Sequence, residues 1–173
     1  MKTLEKTKAQ RSKTGRVRPR RKWQLKNILV PIDFSDASKK ALRYAADLAE
    51  KVGGTITLVH VIEPLPDYSG FDAQPIMRSN FWLTQAKKAF QKLCEEDHVA
   101  QSLVQNTFIR EGTPHDEITE AARESEADLI IIATNGRTGL THILLGSTSE
   151  RVVRHAPCPV LVVREKEHEF IRR

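Results

Sequence analysis

The chain has few of the residues that stabilise small secreted proteins or bind metals. Its 173 residues include only two cysteines, Cys94 and Cys158, which lie far apart and lack the paired spacing of a zinc site or a redox motif. The six histidines are scattered and show no metal-site spacing. We therefore expect no disulfide framework and no metal site, and we expect a reducing, cytoplasmic setting.

Long apolar segments are also missing. The longest apolar stretches are five or six residues, whereas a helix that crosses a bilayer needs about 20. The N-terminus has no apolar segment of the kind found in secretory signals. Hydrophobic residues make up 39% of the chain, which is enough for one core, and the length predicts one folded domain.

The positive charge of the chain is confined to its N-terminus. The whole chain carries +6, but residues 1–26 contain eleven of the 28 lysines and arginines and one of the 22 acids. This segment therefore carries +10 and the remainder carries −4. The segment lacks apolar periodicity, so we predict a disordered basic arm over residues 1–25, a folded domain over residues 26–165 and a short tail over residues 166–173.

Hydrophobic patterning predicts an alternation of strands and helices along the domain. The predicted strands are Asn27–Ile32, Thr55–Val61, Leu103–Arg110, Asp128–Ala133 and Val160–Val163. The predicted helices run from Ser35 or Asp36 to Val52, from Pro75 to Asp97, from Thr113 onward and from Ser147 to His155. This alternation is typical of an α/β fold with a parallel sheet and helices on both faces.

Two features of the strands refine that prediction. The fourth strand is the most apolar, which favours a central position, and the third is less apolar, which favours an edge. The third helix has a hydroxyl and a proline at its start, Thr113 and Pro114, which predicts a capped N-terminus.

Acidic residues follow the first two strands, where an open α/β sheet binds its ligands. Asp33 follows the first strand and Glu63 follows the second, and ligands of such sheets lie beyond the carboxyl ends of the strands. Asp33 is thus a candidate ligand contact, or alternatively a partner of the next helix N-terminus. Asp128 precedes its strand and belongs to the opposite end of the sheet.

The loop after the fourth strand has the features of a phosphate site. Gly136 and Gly139 would let backbone amides approach an anion, and Gly146 and Ser147 begin a helix whose free amides favour phosphate oxygens. The alternative is a tight turn followed by a serine cap. The chain has neither a Walker A sequence nor a GxSxG nucleophile motif. We therefore expect a binding protein rather than an enzyme, with slow ATP hydrolysis as an alternative.

These segments resemble the universal stress protein family. The resemblance rests on ILVPIDFSD at Ile28–Asp36, LVHV at Leu58–Val61 and GSTSERVVRHAPCPVLVV at Gly146–Val163. The ATP-binding branch of that family carries G-x2-G-x9-G-[ST], and this chain has the same spacing over Ala133–Ser147 with alanine in the first position. The resemblance covers roughly residues 26–164.

The resemblance implies a Rossmann-like sheet, similar to the adenine nucleotide alpha hydrolases, with strand order 3-2-1-4-5 and an adenine nucleotide between strands one and four. Asp33 would contact the nucleoside, Pro31 and Val61 would line the base, and Ile132, Ala133 and Asn135 would flank it. The phosphates of ATP, with or without Mg²⁺, would lie against Gly136, Gly146, Ser147 and Thr148. Ala133 would hinder binding seriously only if its position required positive φ or close contact with the ligand.

The resemblance further implies a homodimer paired through the last strand, Val160–Val163. We therefore predict an ATP-binding stress-response protein that senses energy state. The alternative is an interaction protein that works without nucleotide, whose basic arm contacts nucleic acid or another anionic partner.

Overall fold

The computed structural model describes residues 25–64, 75–134 and 145–164. The strands are β1 (Asn27–Pro31), β2 (Thr55–Ile62), β3 (Val104–Glu111), β4 (Leu129–Ala133) and β5 (Val160–Val163). The α-helices are α1 (Asp36–Val52), α2 (Pro75–Glu96), α3 (Pro114–Glu124) and α4 (Ser147–His155), with a 3₁₀ turn at Gln101–Leu103. Every predicted strand and helix is present, with ends within two residues of the prediction.

The five strands form one parallel sheet in the order β3-β2-β1-β4-β5. This confirms the expected order and the expected edge position of β3. β4 lies inside the sheet, but the central strand is β1, so the expectation of a central β4 is wrong. The chain builds outward from β1 to β3 and then returns to the other side of β1, so the strand order reverses between β1 and β4.

Helices cover both faces of the sheet. On one face, side chains of α1 and α2 such as Leu42 and Phe90 pack against Val30, Leu58 and Ile131. On the other face, a second cluster contains side chains of α3 and α4, namely Ile118, Ala121, Ala122 and Val152, together with the strand residues Leu29, Val59 and Ile130. Since a buried Leu, Ile or Val side chain contributes about 1.5–3 kcal/mol, these two layers hold the strand ends in fixed positions.

Helix α1 begins and ends as its sequence predicts. Ser35 is the N-cap and its hydroxyl accepts a hydrogen bond from the Ser38 amide at 3.2 Å. Gly53 ends the helix with φ of 68°, a left-handed conformation that favours glycine. Val52, expected on the buried stripe, is 43% exposed, because the last turn of α1 extends past the packed part of the helix.

Helix α3 starts at Pro114 as predicted, but the prediction that the Thr113 hydroxyl caps it is wrong. Thr113 takes the N-cap position without a side-chain cap hydrogen bond. The Glu117 amide donates to the Thr113 carbonyl at 3.1 Å, the first bond of the helix, and Pro114 with the acidic first turn favours this start without a side-chain cap.

The predicted basic arm and C-terminal tail lie almost wholly outside the described residues. Within the described ranges, no helix is long and apolar enough to cross a membrane.

Candidate functional site

A cleft of about 400 Å³ opens at the carboxyl edge of the sheet, beside the point where the strand order reverses. It is formed by the ends of β1, β2 and β4 and the first turns of α1, α3 and α4. Its lining residues are Pro31, Ile32, Asp33, Ser38, Val59, His60, Val61, Glu63, Pro114, Ile118, Ile132, Ala133, Thr134, Gly146, Ser147, Thr148 and Ser149. This is the position at which open α/β sheets bind ligands.

The structure brings eight of the ten predicted site residues to this cleft. They are Pro31, Asp33, Val61, Ile132, Ala133, Gly146, Ser147 and Thr148. The other two, Asn135 and Gly136, lie outside the described residues, as does Gly139. The cleft therefore joins segments that are more than 100 residues apart in the sequence.

Asp33 fixes the turn between β1 and α1 from within the cleft. Its Oδ1 accepts hydrogen bonds from the Ser35 amide at 3.0 Å and from the Ser35 hydroxyl at 2.6 Å. The sequence left two roles open for Asp33, ligand contact and partner of the helix N-terminus, and this geometry supplies the second. A carboxylate has about four acceptor positions in all, so the first role remains compatible with it.

Phe34, which lies between Asp33 and Ser35, has an unusual backbone conformation. Its φ is 65°, a left-handed conformation that costs a non-glycine residue about 1–3 kcal/mol. Its ring packs against those of His60 and Phe90, with centroid distances of 4.8 and 5.3 Å. Such contacts offset the backbone cost and hold the turn in one conformation.

Strand β2 extends beyond β1 at the cleft. Pairing ends with Pro31 opposite Val59, and the Ile32 amide donates to the Val59 carbonyl at 2.8 Å. In a parallel strand both backbone groups of one residue point to the same side, and those of the next residue point to the other. Val61 therefore directs its N–H and carbonyl to the side where β1 has ended, toward the cleft it lines.

At the opposite end of the cleft, the start of α4 is tied to the end of β4. The Gly146 amide donates to the Thr134 carbonyl at 2.8 Å, and the Ser149 hydroxyl donates to the Ala133 carbonyl at 2.7 Å. Gly146 is the N-cap and has no side-chain cap hydrogen bond. The amides of the first turn are therefore left without a side-chain cap, and the positive end of the helix dipole faces the cleft.

The alanine in the first glycine position of the motif is easily accommodated. Ala133 is a β4 residue, and it is absent from the residues with positive φ. Its side chain is 7% exposed and belongs to the cluster under α1 and α2. The methyl group therefore lies mainly in the core.

We expect Ala133→Gly to lower stability and to leave ligand affinity almost unchanged. Glycine inside a strand costs about 0.5–1 kcal/mol relative to alanine, and the lost methyl adds a small cavity. Chemical denaturation would report the loss, and calorimetry with ATP should show a change in Kd below about threefold, under 0.7 kcal/mol. A gain in affinity of tenfold or more would show that the methyl blocks the ligand.

Several lining residues were not predicted as site residues. Glu63 was expected at this edge and lines the cleft, and His60 was expected to be partly buried and hydrogen-bonded, which its Nδ1 contact to the Ile32 carbonyl at 2.7 Å confirms. Pro114 and Ile118 were missed. The signal for Pro114 was available, since it follows the carboxyl end of β3 just as Asp33 follows β1.

Two residues outside the cleft have the structural roles that the sequence suggested. Asp128 lies at the amino-terminal edge of the sheet, where its carboxylate accepts from the Lys26 and Asn27 amides at 2.8 and 3.0 Å. Cys158 packs against the cluster under α3 and α4. Burial, with Asp128 nearby, raises the pKa of the Cys158 thiol above its ordinary value of 9.0, so the reactive thiolate is disfavoured.

The sheet and its cleft define an open, doubly wound α/β protein with a cleft at the reversal of strand order. Residues 24–164 match the model of the universal stress protein family. The chain is 36% identical over 149 residues to universal stress protein MJ0531 of Methanocaldococcus jannaschii, covering 83% of this chain and 85% of that protein. The chain belongs to the universal stress protein family.

Other relatives and solved structures agree. A universal stress protein of Thermus aquaticus is 36% identical over 141 residues, covering 80% of this chain and 98% of its own. The structure of UspA from Lactobacillus plantarum superposes with a TM-score of 0.70 at 28% identity, covering 82% of this chain and 99% of that one. A universal stress protein in complex with cAMP shares the fold, with a TM-score of 0.53 at 23% identity over 80% of this chain and 95% of that one.

Proposed function

We propose that this protein is an adenine-nucleotide-binding member of its family, with ATP as its ligand, acting as a cytoplasmic homodimer in stress or energy sensing. The observation that carries the proposal is the cleft itself. It has an unpaired strand edge and a carboxylate at one end and the open N-terminus of α4 at the other. A nucleotide has a base, a sugar and phosphates in that same order.

The strand edge suits the Watson–Crick edge of adenine. The Val61 N–H can donate to the N1 nitrogen of adenine, and the Val61 carbonyl can accept from its N6 amino group. Guanine presents a donor at N1 and an acceptor at O6, which reverses this pattern for the same ring placement. Pro31 and Ile132 supply apolar surface for the ring from β1 and β4.

The sugar and phosphates match the remaining polar groups. The Asp33 carboxylate can accept from ribose hydroxyls in addition to its bonds with Ser35. The phosphates would lie against the first turn of α4, where Gly146 permits close approach and the Ser147 and Thr148 hydroxyls are donors. Because the folded part carries −4, local amides and the helix dipole must supply the attraction, and Mg²⁺ would add to it.

Titration calorimetry tests this assignment. We expect ATP to bind at least about tenfold more tightly than GTP, since reversing two hydrogen bonds costs more than 1.4 kcal/mol. AMP should bind more weakly than ATP because it lacks the phosphates that reach α4. Titration with cAMP, the ligand of one protein of this fold, completes the series. If no adenine nucleotide gives heat at millimolar concentration, the proposal fails.

A second function is favoured by the charge distribution, with +10 on residues 1–26. Such an arm would bind nucleic acid or another anionic surface with strong salt dependence. Deleting residues 1–24 separates the two functions, since nucleotide affinity should persist while any salt-sensitive retention of nucleic acid should vanish. Slow ATP hydrolysis would appear as phosphate release that Asp33→Ala or Ser147→Ala suppresses.

A further inference from the structure

The pairing of β1 and β2 ends at the cleft, beside His60. The Ile32 amide bonds the Val59 carbonyl at 2.8 Å, and in a regular parallel ladder the next bond would run from the Val61 N–H to the Ile32 carbonyl. That bond is not made among the described residues, because the register ends at Pro31 opposite Val59. The Ile32 carbonyl lies 2.7 Å from His60 Nδ1 instead.

The proton in this contact belongs to the histidine. A backbone carbonyl only accepts, so Nδ1 carries a hydrogen and donates to Ile32. The imidazole thus donates to the same carbonyl that the Val61 amide would reach if the ladder continued.

The ring is held in this position by its neighbours. Phe34 packs against it at a centroid distance of 4.8 Å, and Phe90 of α2 meets it edge-on at 6.3 Å. The same Phe34 has the left-handed backbone that follows Asp33. His60 therefore connects the end of β1, the turn that bears Asp33 and the core under α2.

We propose that His60 is a positioning residue that holds the Ile32 carbonyl toward its imidazole and away from the Val61 N–H, so that this N–H stays available to a ligand acceptor atom. The inference rests on the proposed function, in which that acceptor is N1 of adenine. Without the imidazole donor, the Ile32 carbonyl would accept from Val61, and the strand edge would close by one hydrogen bond. His60 thereby determines base recognition without contacting the base.

Amide hydrogen exchange of the full chain without ligand tests the first half of this proposal. His60→Phe keeps an aromatic ring against Phe34 and Phe90 but removes the donor, and we expect exchange at the Val61 amide to slow by about tenfold or more. His60→Asn places an amide nitrogen near the position of Nδ1 and should retain the wild-type rate. Exchange at Val59, inside the ladder, corrects for any change in global stability.

The direction of this effect separates positioning from simple stabilisation. A variant that only loses packing would exchange faster at Val61, whereas the proposal requires slower exchange there. His60→Gln is a second variant for the case in which the phenylalanine variant folds poorly. Its side-chain amide reaches the position of Nε2 and not that of Nδ1, so it also removes the donor to Ile32. Unchanged or faster exchange at Val61 in a folded donor-lacking variant would overturn the proposal.

Calorimetry tests the second half. ATP should bind about tenfold more weakly to His60→Phe and within about threefold of wild type to His60→Asn. The wild type should bind 1-deaza-ATP, which lacks the N1 acceptor, about as weakly as His60→Phe binds ATP. Loss of ATP affinity with unchanged Val61 exchange would mean that His60 contacts the ligand directly, against the proposal.

The two assays distinguish failure of the proposed function from failure of the inference about His60. Exchange needs no ligand, so absence of ATP binding in the wild type would defeat the proposed function while the exchange result still decides the role of His60. Normal ATP binding with unchanged Val61 exchange would leave the proposed function intact and defeat this inference.

Discussion

Gly146→Asp should abolish ATP binding while leaving the domain at least as stable as the wild type. Gly146 is the N-cap of α4, with φ of −68° and ψ of 154°, a conformation that any L-residue adopts. Aspartate is among the preferred N-cap residues, so α4 should gain stability. The new carboxylate would stand where the phosphates approach, and repulsion of about 3–4 kcal/mol at 4–5 Å predicts a Kd at least about 100-fold higher.

The matched control is Gly146→Asn. Asparagine has nearly the same shape and an equal N-cap preference but no charge, so it isolates the steric part of the effect. We expect it to weaken ATP binding by about tenfold, or 1.4 kcal/mol. Calorimetry gives the affinities, and thermal unfolding without ligand shows whether α4 is intact. If the aspartate variant and the wild type bind ATP with equal affinity, the phosphates do not lie at this end of the cleft.

The strands and helices were predictable because their signals are local. Asn27–Pro31 and Leu129–Ala133 are short, continuous apolar runs, and parallel strands buried on both faces need that composition. Ser35 and Gly53 mark the ends of α1 with residues whose side chain or φ the caps require. The strand order came from the family resemblance, since periodicity alone does not rank β1 above β4 as the central strand.

The candidate site was predictable in outline for a topological reason. Residues after parallel strands share one edge of the sheet, so Asp33 and Gly146 could be placed together from the sequence alone. The direction of the Ala133 methyl could not, because it depends on which face of β4 the residue occupies. Its place in the core follows from the alternation along β4, which puts Ala133 on the same face as Ile131, under α1 and α2.

The interaction of His60 with Ile32 was the least predictable feature of the cleft. The contact lies where the pairing of β1 and β2 ends, at Pro31 opposite Val59, and the position of that end depends on the register between the strands. A hydrogen-bonded histidine on β2 was predictable, but its acceptor was not. The exposure of Val52 could not be predicted for a similar reason, because helical periodicity does not show where the sheet beneath a helix ends.

Strand β5 has the features of a dimer edge. Its inward bonds run from the Ile130 and Thr134 amides to the Pro159 and Val163 carbonyls, so Val160 and Val162 direct their backbone groups away from β4. Leu161 is 37% exposed on this strand, and Val153 on the adjacent α4 is 46% exposed. An open strand edge flanked by exposed apolar side chains favours pairing with a second copy.

Leu161→Lys should therefore convert the proposed dimer to a monomer. Lysine on an edge strand opposes pairing, and a two-fold interface contains the substitution twice. Losing two buried leucines at about 1.5–3 kcal/mol each predicts a dimer Kd at least about 100-fold higher. Because Leu161 is already partly exposed, the fold of each subunit should tolerate the change, and sedimentation velocity at micromolar protein would report the shift.

Val52→Lys provides the matched control for this experiment. Val52 is 43% exposed and lies at the C-terminus of α1, where a positive charge interacts favourably with the helix dipole. It removes an exposed apolar side chain of similar accessibility far from β5 along the chain, and it should leave the assembly state unchanged. A wild type that sediments as a monomer would refute the dimer, and a Leu161→Lys variant that still dimerises would place the interface away from β5.

ATP affinity measured on the Leu161→Lys monomer then shows whether one subunit binds the nucleotide alone. We expect that it does, because every residue that lines the cleft belongs to a single chain.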